Sequence, residues 1–242
     1  MKERKKLALI LFTSFFIVGF ARIAGNEFVN YFVDTQSFLL SVLKNPKQMG
    51  AALPSSPFLA ETITRYVKTS KRTGKRILEV GAGTGVFTQE IVKSLKKDDV
   101  LDVVEVDPEL CMILKKKFWW RRNVCIHNIS ILDWQPEYKY DYIVSGLPFN
   151  AFEACFVKQV LGKYQTFLKE DGIISYFEYA IIPSVTKFLM TMFLMSEKKQ
   201  KYVAVLNETQ NFRNSFSAYK KELVLRNVPP AYAHFMKKQS FL

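Results

Sequence analysis

The residues best suited to chemistry are two acids and a set of glycines. Residues 77–85 read Ile-Leu-Glu-Val-Gly-Ala-Gly-Thr-Gly, so Glu79 ends a short apolar run. Glycines follow at every second position, where they allow positive φ and a close approach to a ligand: Gly81, Gly83 and Gly85. A second apolar run carries Glu105 at its end, where an acid can bind a ribose diol. The spacing predicts a strand, a glycine turn, a helix and a second strand, arranged to bind a nucleoside cofactor.

The spacing of the glycines separates two kinds of cofactor site. Dinucleotide enzymes use Gly-x-Gly-x-x-Gly, whereas this chain has Gly-x-Gly-x-Gly. With Glu79 before it and Glu105 after it, the segment resembles the S-adenosylmethionine site of class I methyltransferases. The resemblance implies that S-adenosylmethionine is the cofactor. It also implies that Glu79 orders the glycine loop or reaches the methionine amino group, and that Glu105 binds the ribose.

Composition limits the kinds of protein this can be. The chain has 242 residues, enough for one α/β domain with an extension, and 49% of them are hydrophobic, which argues against disorder. The formal net charge of +13 favours an anionic partner, either nucleic acid or an anionic membrane surface. The cysteines lie far apart, so neither a disulfide framework nor a metal site is predicted: Cys111, Cys125 and Cys155.

The N-terminus combines a basic start, residues 1–6, with an apolar run over residues 7–21. A cleaved signal peptide has this order, but residues 21–25 make a poor cleavage site. A spanning helix needs about 20 apolar residues, and the positive-inside rule would then leave the catalytic domain outside, away from its cofactor. The third interpretation is a helix that lies in the membrane interface or dips into it without crossing.

We favour the third interpretation and predict that residues 1–45 form membrane-associating helices at the cytoplasmic face of the inner membrane. The second of these helices is predicted over residues 27–43, where Phe28, Phe32 and Leu39 recur at roughly helical spacing. The alternative for both helices is packing on the protein's own core.

The rest of the chain alternates between strand and helix patterns. Ser56 suits an N-cap and Pro57 the first position of a helix that ends near residue 71. The other predicted elements are strands over 76–81, 101–106, 123–129, 141–146 and 172–179, and helices over 86–96, 108–118, 151–169 and 183–198. This alternation predicts an α/β fold, the Rossmann-like parallel sheet of class I methyltransferases, over residues 46–242. Residues 202–206 and 222–228 are predicted to form its antiparallel edge.

In such sheets the residues that follow the strands share one rim, where ligands bind. This rim is expected to carry the glycine loop and Glu105, with the segment around Ser56 lying over it. The adenine-binding acid of this fold normally follows the third strand, where this chain has Ser130 and, later, Asp133. Two interpretations stay open: Ser130 substitutes as a shorter hydrogen-bonding group, or Asp133 reaches the base.

The segment after the fourth strand, residues 145–150, reads Ser-Gly-Leu-Pro-Phe-Asn. In adenine and glutamine N-methyltransferases the corresponding acceptor loop reads Asn/Asp-Pro-Pro-Tyr/Phe, and its first residue takes a hydrogen bond from a planar amine. Ser145 stands in that place and fits an sp3 amine or another acceptor better than a planar amine. The alternative is a strand-to-helix turn that uses Gly146 and Pro148 for its geometry.

A basic and aromatic run, residues 115–122, reads Lys-Lys-Lys-Phe-Trp-Trp-Arg-Arg. Its composition is that of a membrane or nucleic-acid patch. However, the helix from Pro108 is expected to run away from the rim, which favours a solvated helix end whose Phe and Trp side chains pack against the sheet. His127 and His234 lack metal-ligand partners at useful spacing and are predicted to be structural.

Three separated segments together resemble the bacterial phospholipid N-methyltransferases. The N-terminal motif (residues 45–56) looks like that family's Asn-Pro-x-x-x-Gly-x-x-x-Pro-Ser/Thr-Ser. Residues 145–148 are similar to its Ser-Gly/Ala-x-Pro, and the C-terminal motif (residues 226–231) resembles its Arg-Asn-x-Pro-Pro-Ala. The resemblance covers residues 45–235 and implies an enzyme at the membrane surface that methylates phosphatidylethanolamine towards phosphatidylcholine.

Two features depart from that family, namely the long apolar run over residues 7–21 and the missing acid at Ser130. The apolar run indicates firmer membrane attachment, or a sub-branch that methylates another amino-lipid such as an ornithine lipid. The predicted partners are therefore an anionic membrane surface and an amino-phospholipid, with nucleic acid less favoured.

Methyl transfer from a sulfonium is an in-line displacement and therefore chiefly a positioning problem. The lipid amine must be neutral to attack, so a base or a water path must take its proton. The catalytic candidates are the polar residues that end the fifth strand: Tyr176, Glu178 and Tyr179. Tyr179 can orient the amine through its hydroxyl or its ring face, and Arg226 or Arg213 can meet the lipid phosphate.

Two rival functions are open. An rRNA adenine dimethylase-like enzyme shares the glycine loop and a similar Leu-Pro-Phe, and a charge of +13 suits RNA. Ser145 and the apolar N-terminus argue against it. A membrane protein that keeps a decayed, inactive cofactor fold is the second rival, and the intact pair of Glu79 and Glu105 argues against that.

Overall fold

Strands and helices alternate along the structure, a computed structural model that describes residues 55–149, 152–180, 196–227 and 230–238. The strands in those residues are β1 (Arg76–Val80), β2 (Val100–Glu105), β3 (Val124–Asn128), β4 (Tyr140–Ser145), β5 (Leu168–Tyr179), β6 (Ala218–Val224) and β7 (Ala231–Lys237). The helices are α1 (Pro57–Ile63), α2 (Arg65–Thr69), α3 (Val86–Val92), α4 (Pro108–Phe118), α5 (Ala154–Phe167) and α6 (Ser196–Asn214).

All of these strands belong to one sheet in the order β3-β2-β1-β4-β5-β7-β6. The strands β1 to β5 are parallel, whereas β7 is antiparallel to β5 and β6 is antiparallel to β7. The strand order reverses between β1 and β4, and ligands bind at such a reversal, outside the carboxyl ends of the strands. The predicted α/β fold, a parallel sheet with an antiparallel edge, is confirmed.

Helices cover both faces of the sheet. The first layer consists of α1, α2, α3 and the inner side of α4, and the second consists of α5 and α6 with the segment after β3. Side chains alternate along β1, so Ile77 packs in the first layer and Leu78 in the second. By the same alternation Glu79 faces the first layer, which is the layer that contains the helix after the glycine loop.

Local signals explain where two of the helices begin. The Ser56 hydroxyl accepts a hydrogen bond from the Leu59 N–H at 3.1 Å, and the Asp107 carboxylate accepts one from the Glu109 N–H at 2.8 Å. Each cap is followed by proline at the first helical position, where a missing N–H costs nothing. The helix predicted over residues 57–71 is divided at Thr64, whose hydroxyl bonds the carbonyl oxygen four residues back at 2.8 Å.

One predicted strand is wrong. Residues 202–206 lie within α6 rather than in a strand. A short apolar run does not distinguish a strand from a buried helix, and here the burial has the helical period, with Val205, Thr209 and Phe212 against the second layer. The antiparallel edge is formed by β6, which overlaps the predicted 222–228, and by β7, which was not predicted.

Several predictions lie outside the described residues: the membrane-associating helices of residues 1–45, the domain boundary after residue 45, and most of the helix over 183–198. Within the described part of the chain, no helix is both long and apolar enough to cross a membrane.

Candidate functional site

The glycine loop follows β1 at the reversal of strand order. Gly81, Gly83 and Gly85 all have positive φ, at 69°, 57° and 85°. A Cβ on Gly85 would lie 2.7 Å from Leu114 of α4, whereas a Cβ on Gly83 would meet no atom within 4 Å. A Cβ on Gly81 would lie 2.6 Å from Leu147. The loop is therefore packed at both ends and open in the middle, where a ligand can approach the backbone.

Glu105 holds this loop against the end of β2. Its carboxylate is buried and accepts hydrogen bonds from the N–H groups of Gly83 at 2.9 Å, Val106 at 2.9 Å and Asp107 at 3.1 Å. The second acid of the sequence pattern thus lies beside the glycine loop, as the pattern requires. Three donors fix the carboxylate at the rim, which orients it to accept further hydrogen bonds from hydroxyl groups.

Glu79 is the most unusual group at the site. Its side chain is completely buried, and neither carboxylate oxygen has a hydrogen-bond partner among the described residues. Burial raises the pKa of Glu79 to about 8, and the charge of Glu105 adds to this rise. The nearby Thr88 hydroxyl opposes the rise, although it makes no hydrogen bond of normal geometry. A buried acid without partners fits a cationic group that arrives with a ligand.

These residues fit S-adenosylmethionine. Glu79 offers an unpartnered carboxylate to an ammonium group, Glu105 offers acceptors to ribose hydroxyls, and the backbone at Gly83 is open. When bound, this cofactor supplies a methyl group made electrophilic by its sulfonium. The protein's own contribution is to hold the site rigid and to neutralise the charge of the ligand.

Both interpretations of the adenine side, Ser130 and Asp133, stay predictions. The Ser130 hydroxyl accepts a hydrogen bond from the Leu132 N–H at 3.2 Å, and Asp133 is exposed. Sequence reasoning missed Asn128, which ends β3 beside Glu105 and donates to the carbonyl oxygens of Glu105 at 3.1 Å and Val106 at 2.9 Å. A polar residue at a strand end next to the ribose acid was the signal that could have found it.

The acceptor loop packs backbone to backbone on the glycine loop. The Gly146 N–H donates to the Val80 carbonyl oxygen at 2.8 Å, and a Cβ on Gly146 would lie 2.3 Å from the Gly81 carbonyl oxygen. Ser145 is fully buried, and its hydroxyl accepts a hydrogen bond from the Tyr164 hydroxyl of α5 at 2.9 Å. The Ser145 side chain therefore points into the second layer and not towards the glycine loop.

Two of the three catalytic candidates on β5 belong to a buried network. Arg213 of α6 donates to the Tyr176 hydroxyl at 2.9 Å and to the Glu178 carboxylate at 3.2 Å. Burial opposes ionisation of Glu178, but His234, 3.3 Å away, and Arg213 together hold its pKa below the usual value. Arg213 is thus already engaged, which leaves Arg226 as the candidate for a lipid phosphate. His234 stacks on Tyr176, in keeping with a structural role.

Tyr179, the third candidate, ends β5 in a half-buried position. It packs edge-on against Phe177, with 5.3 Å between ring centroids, on the face of the sheet that carries Glu79. Of the three candidates on β5, Tyr179 is the one that shares a layer with the glycine loop.

Ser56, the last residue of the N-terminal motif, meets the C-terminal motif at the carboxyl end of β5. The Ser56 N–H donates to the Asn227 side-chain oxygen at 2.8 Å across 171 residues of sequence, and both residues are buried. The Ala180 N–H donates to the Pro230 carbonyl oxygen at 2.6 Å nearby. Arg226 lies over the ring of Phe58 at 4.8 Å. Two segments that were linked only by resemblance are thus in direct contact on the catalytic rim.

The basic run over residues 115–122 is only partly as predicted. Phe118 is buried as expected, but Trp119 is 81% exposed and Trp120 is 54% exposed, so the prediction that the tryptophans pack on the sheet is wrong. Lys117 also does not point away from the site, because its ammonium lies 3.4 Å from the Thr84 carbonyl oxygen of the glycine loop.

Replacing Glu105 by Ala is expected to weaken binding of S-adenosylmethionine by about 1–3 kcal/mol, because its hydrogen bonds to the ligand and to the glycine loop are lost together. Titration calorimetry measures the effect. Glu137→Ala, at an exposed position, is the matched control and should bind normally. Unchanged affinity in Glu105→Ala would remove this residue from the site.

Comparisons with known proteins agree with this geometry. The family model described as ribosomal RNA adenine dimethylase matches residues 43–209. An ornithine lipid N-methyltransferase from Singulisphaera acidiphila is 30% identical over 143 residues, which cover 54% of this chain and 73% of that protein. An rRNA adenine N-6-methyltransferase from Limosilactobacillus reuteri is 27% identical over 126 residues, which cover 52% of this chain and about half, 49%, of that protein.

Solved structures show the fold. The N-methyltransferase NodS from Bradyrhizobium japonicum, in complex with S-adenosyl-L-homocysteine, has a TM-score of 0.54 and 13% identity, covering 78% of this chain and 91% of that chain. The fold is the Rossmann-like α/β fold of class I methyltransferases. The predictions of a methyltransferase and of S-adenosylmethionine as its cofactor are confirmed.

Proposed function

We propose that this chain, which belongs to the ribosomal RNA adenine dimethylase family, transfers methyl groups from S-adenosylmethionine to the amine of a membrane lipid. Our first candidate for the acceptor is phosphatidylethanolamine, methylated towards phosphatidylcholine, and an ornithine lipid is the second. Family membership concerns the cofactor fold that these enzymes share, and the acceptor is argued from this chain's own rim.

One observation carries the proposal. In adenine methyltransferases the residue at the start of the acceptor loop takes a hydrogen bond from the planar amine, and here that residue is Ser145. Its hydroxyl is fully buried and engaged by Tyr164 at 2.9 Å. A side chain held inside the second layer is not available to an adenine amine, which supports a different acceptor.

The contact between the two motifs supports a lipid. Ser56 and Asn227 join the segments that resemble the phospholipid enzymes. Beside this contact the rim exposes Phe58 and Leu225 together with Arg226. Apolar side chains next to a guanidinium match the acyl chains and the phosphate of a lipid. The relative that is an ornithine lipid N-methyltransferase is consistent with this class of acceptor.

Different residues of the chain bind the cofactor, position the acceptor loop and orient the amine. Glu79 and Glu105 hold the cofactor side, and the close packing of Gly146 on Gly81 fixes the acceptor loop against it. Tyr179 orients the amine from the half-buried end of β5. A base or a water path at the rim must take the proton that the lipid ammonium loses before it can attack.

Expression in a host that lacks phosphatidylcholine tests the acceptor. Thin-layer analysis of lipids is expected to reveal mono-, di- or trimethylated phosphatidylethanolamine, and Glu105→Ala should reduce the product. A host that makes ornithine lipids tests the second candidate in the same way.

The rival function, methylation of ribosomal RNA, can be measured in the same cells. The family match and the net charge of +13 favour ribosomal RNA as the rival acceptor. If the lipids are unchanged and adenine in ribosomal RNA is newly methylated, the lipid proposal is wrong and ribosomal RNA is the acceptor.

A further inference from the structure

The outer face of α4 has an unusual composition. Its inner face is buried through Cys111, Leu114 and Phe118. The outer face exposes Met112 by 65% and Ile113 by 48%, and the exposed tryptophans 119 and 120 continue it past the end of the helix. Met112 and Trp119 are seven residues apart, as are Ile113 and Trp120, so the four side chains lie on one side of the helix and its continuation. An apolar stripe on solvent-exposed helix surface marks an interaction site.

Cations surround this stripe. They are Lys115, Lys116, Lys117, Arg121 and Arg122. The one acid within α4 is Glu109 in its first turn, and residues 110–122 contain none. The Arg121 guanidinium lies over the ring of Trp120 at 4.3 Å, which leaves its charge at the surface beside the aromatic ring. The partner of this surface must therefore be both negatively charged and able to accept apolar side chains.

We propose that the outer face of α4, with Trp119 and Trp120 at its end, docks on an anionic lipid surface. Tryptophan favours the level of the lipid head groups, and an amphipathic helix with cations beside its apolar face lies in that interface. Anionic lipids attract the five cations.

The aliphatic residues decide between lipid and nucleic acid. Single-stranded RNA binds through base stacking on aromatic rings and through cations on its phosphates. Such binding uses Trp119 and Trp120 but gives no role to exposed Met112 and Ile113. A bilayer interface accepts all four side chains.

This docking deepens the proposed lipid methylation and rests on it. The helix begins at Pro108, three residues after Glu105. A membrane that holds α4 therefore holds the adjoining end of β2, with its cofactor acid, close to the lipid. The surface lies in the described residues and is distant in sequence from the apolar run of residues 7–21.

The chain's tryptophans make a direct test possible. There are three, and the third, Trp134, donates to the Tyr140 hydroxyl at 3.2 Å and packs on His127. Full-length protein with Trp134→Phe leaves Trp119 and Trp120 as the only tryptophan reporters. On vesicles of phosphatidylcholine with phosphatidylglycerol, we expect their emission to shift to the blue and to be quenched by lipids brominated on the acyl chain. Added salt should reduce the blue shift and the quenching. Vesicles of pure phosphatidylcholine, which lack the anionic lipid, should reduce both signals as well.

Binding variants give a second measurement. Trp119→Ala with Trp120→Ala should weaken partitioning to anionic vesicles by roughly tenfold, since affinity follows the buried apolar area. Lys115→Gln with Lys116→Gln should weaken it at low salt and little at high salt. Leu223→Ala, which removes an exposed aliphatic side chain from the edge strand β6, is the matched control and should bind normally.

Three outcomes would overturn the docking surface. The first is binding to vesicles without quenching, which would mean attachment elsewhere in the chain. The second is emission that is already blue-shifted without vesicles, which would mean that another segment of the chain covers this face. The third is a response to RNA and none to lipid. Because the readout is tryptophan emission, each outcome is distinct from a failure of lipid methylation.

Discussion

Binding of S-adenosylhomocysteine is expected to tighten as the pH rises towards 8 and to release a proton. Glu79 has a pKa raised to about 8 by burial, so it is mostly neutral in the free protein at pH 7. The ammonium group of the ligand favours the ionised carboxylate, and the proton must leave on binding. Affinity should therefore fall by up to about tenfold for each pH unit below 8, until the pKa of the bound state is reached.

Calorimetry in two buffers of different ionisation enthalpy counts the protons released. Glu105 and Lys117 also act on the pKa of Glu79. Variants are therefore needed to show that Glu79 itself releases the proton. Glu79→Gln should bind more weakly and without the proton release, and the exposed Glu137→Gln should behave as wild type. Proton release that is equal in wild type and Glu79→Gln would show that Glu79 is not its source.

The raised pKa of Glu79 also predicts that the protein without ligand becomes less stable as the pH rises. An acid with a folded pKa raised from 4.5 to about 8 stabilises the fold at low pH, and this contribution is lost as the pH rises through that window. Glu79→Gln, which stays neutral, should therefore unfold at a higher temperature than wild type at pH 8 without ligand. A substitution that weakens ligand binding while it stabilises the protein is difficult to explain by damage to the fold.

Gly146→Ala is expected to abolish cofactor binding and to lower the free energy of unfolding by about 1–3 kcal/mol or more. The new Cβ would lie 2.3 Å from the Gly81 carbonyl oxygen, and this neighbour is backbone, which cannot move away as a flexible side chain does. The clash can be relieved only if the acceptor loop and the glycine loop separate. Because both loops form the site, this separation should prevent cofactor binding. Thermal unfolding and calorimetry measure the two effects.

Gly162→Ala is the matched control for this change. Gly162 lies inside α5, and its Cβ would meet no atom within 4 Å. The same chemical change there should stabilise the protein by about 0.5–1 kcal/mol, because alanine loses less backbone entropy than glycine in a helix. A Gly146→Ala protein with normal stability and affinity would show that the two loops are not as closely packed as described.

The sequence alone determined the arrangement of Glu79, Glu105 and the glycine loop. The positions of Glu79, Glu105 and the glycines follow from strand alternation and from a turn that requires positive φ, and both are local properties. The starts of two helices, at Ser56 and at Asp107, could also be predicted, because an N-cap and the proline after it are neighbours in the chain. These features need no information about distant residues.

Only the tertiary structure decided which way the remaining side chains face. Ser145 turns into the second layer because Tyr164 of α5 meets it there, and residues 202–206 are helical because α6 packs on that same layer. Trp119 and Trp120 lie past the last buried turn of α4 and remain exposed. Ser56 and Asn227 are paired across 171 residues. For Ser145, residues 202–206 and Ser56, the deciding partner is far away in sequence, and burial against that partner outweighs the weak local preference.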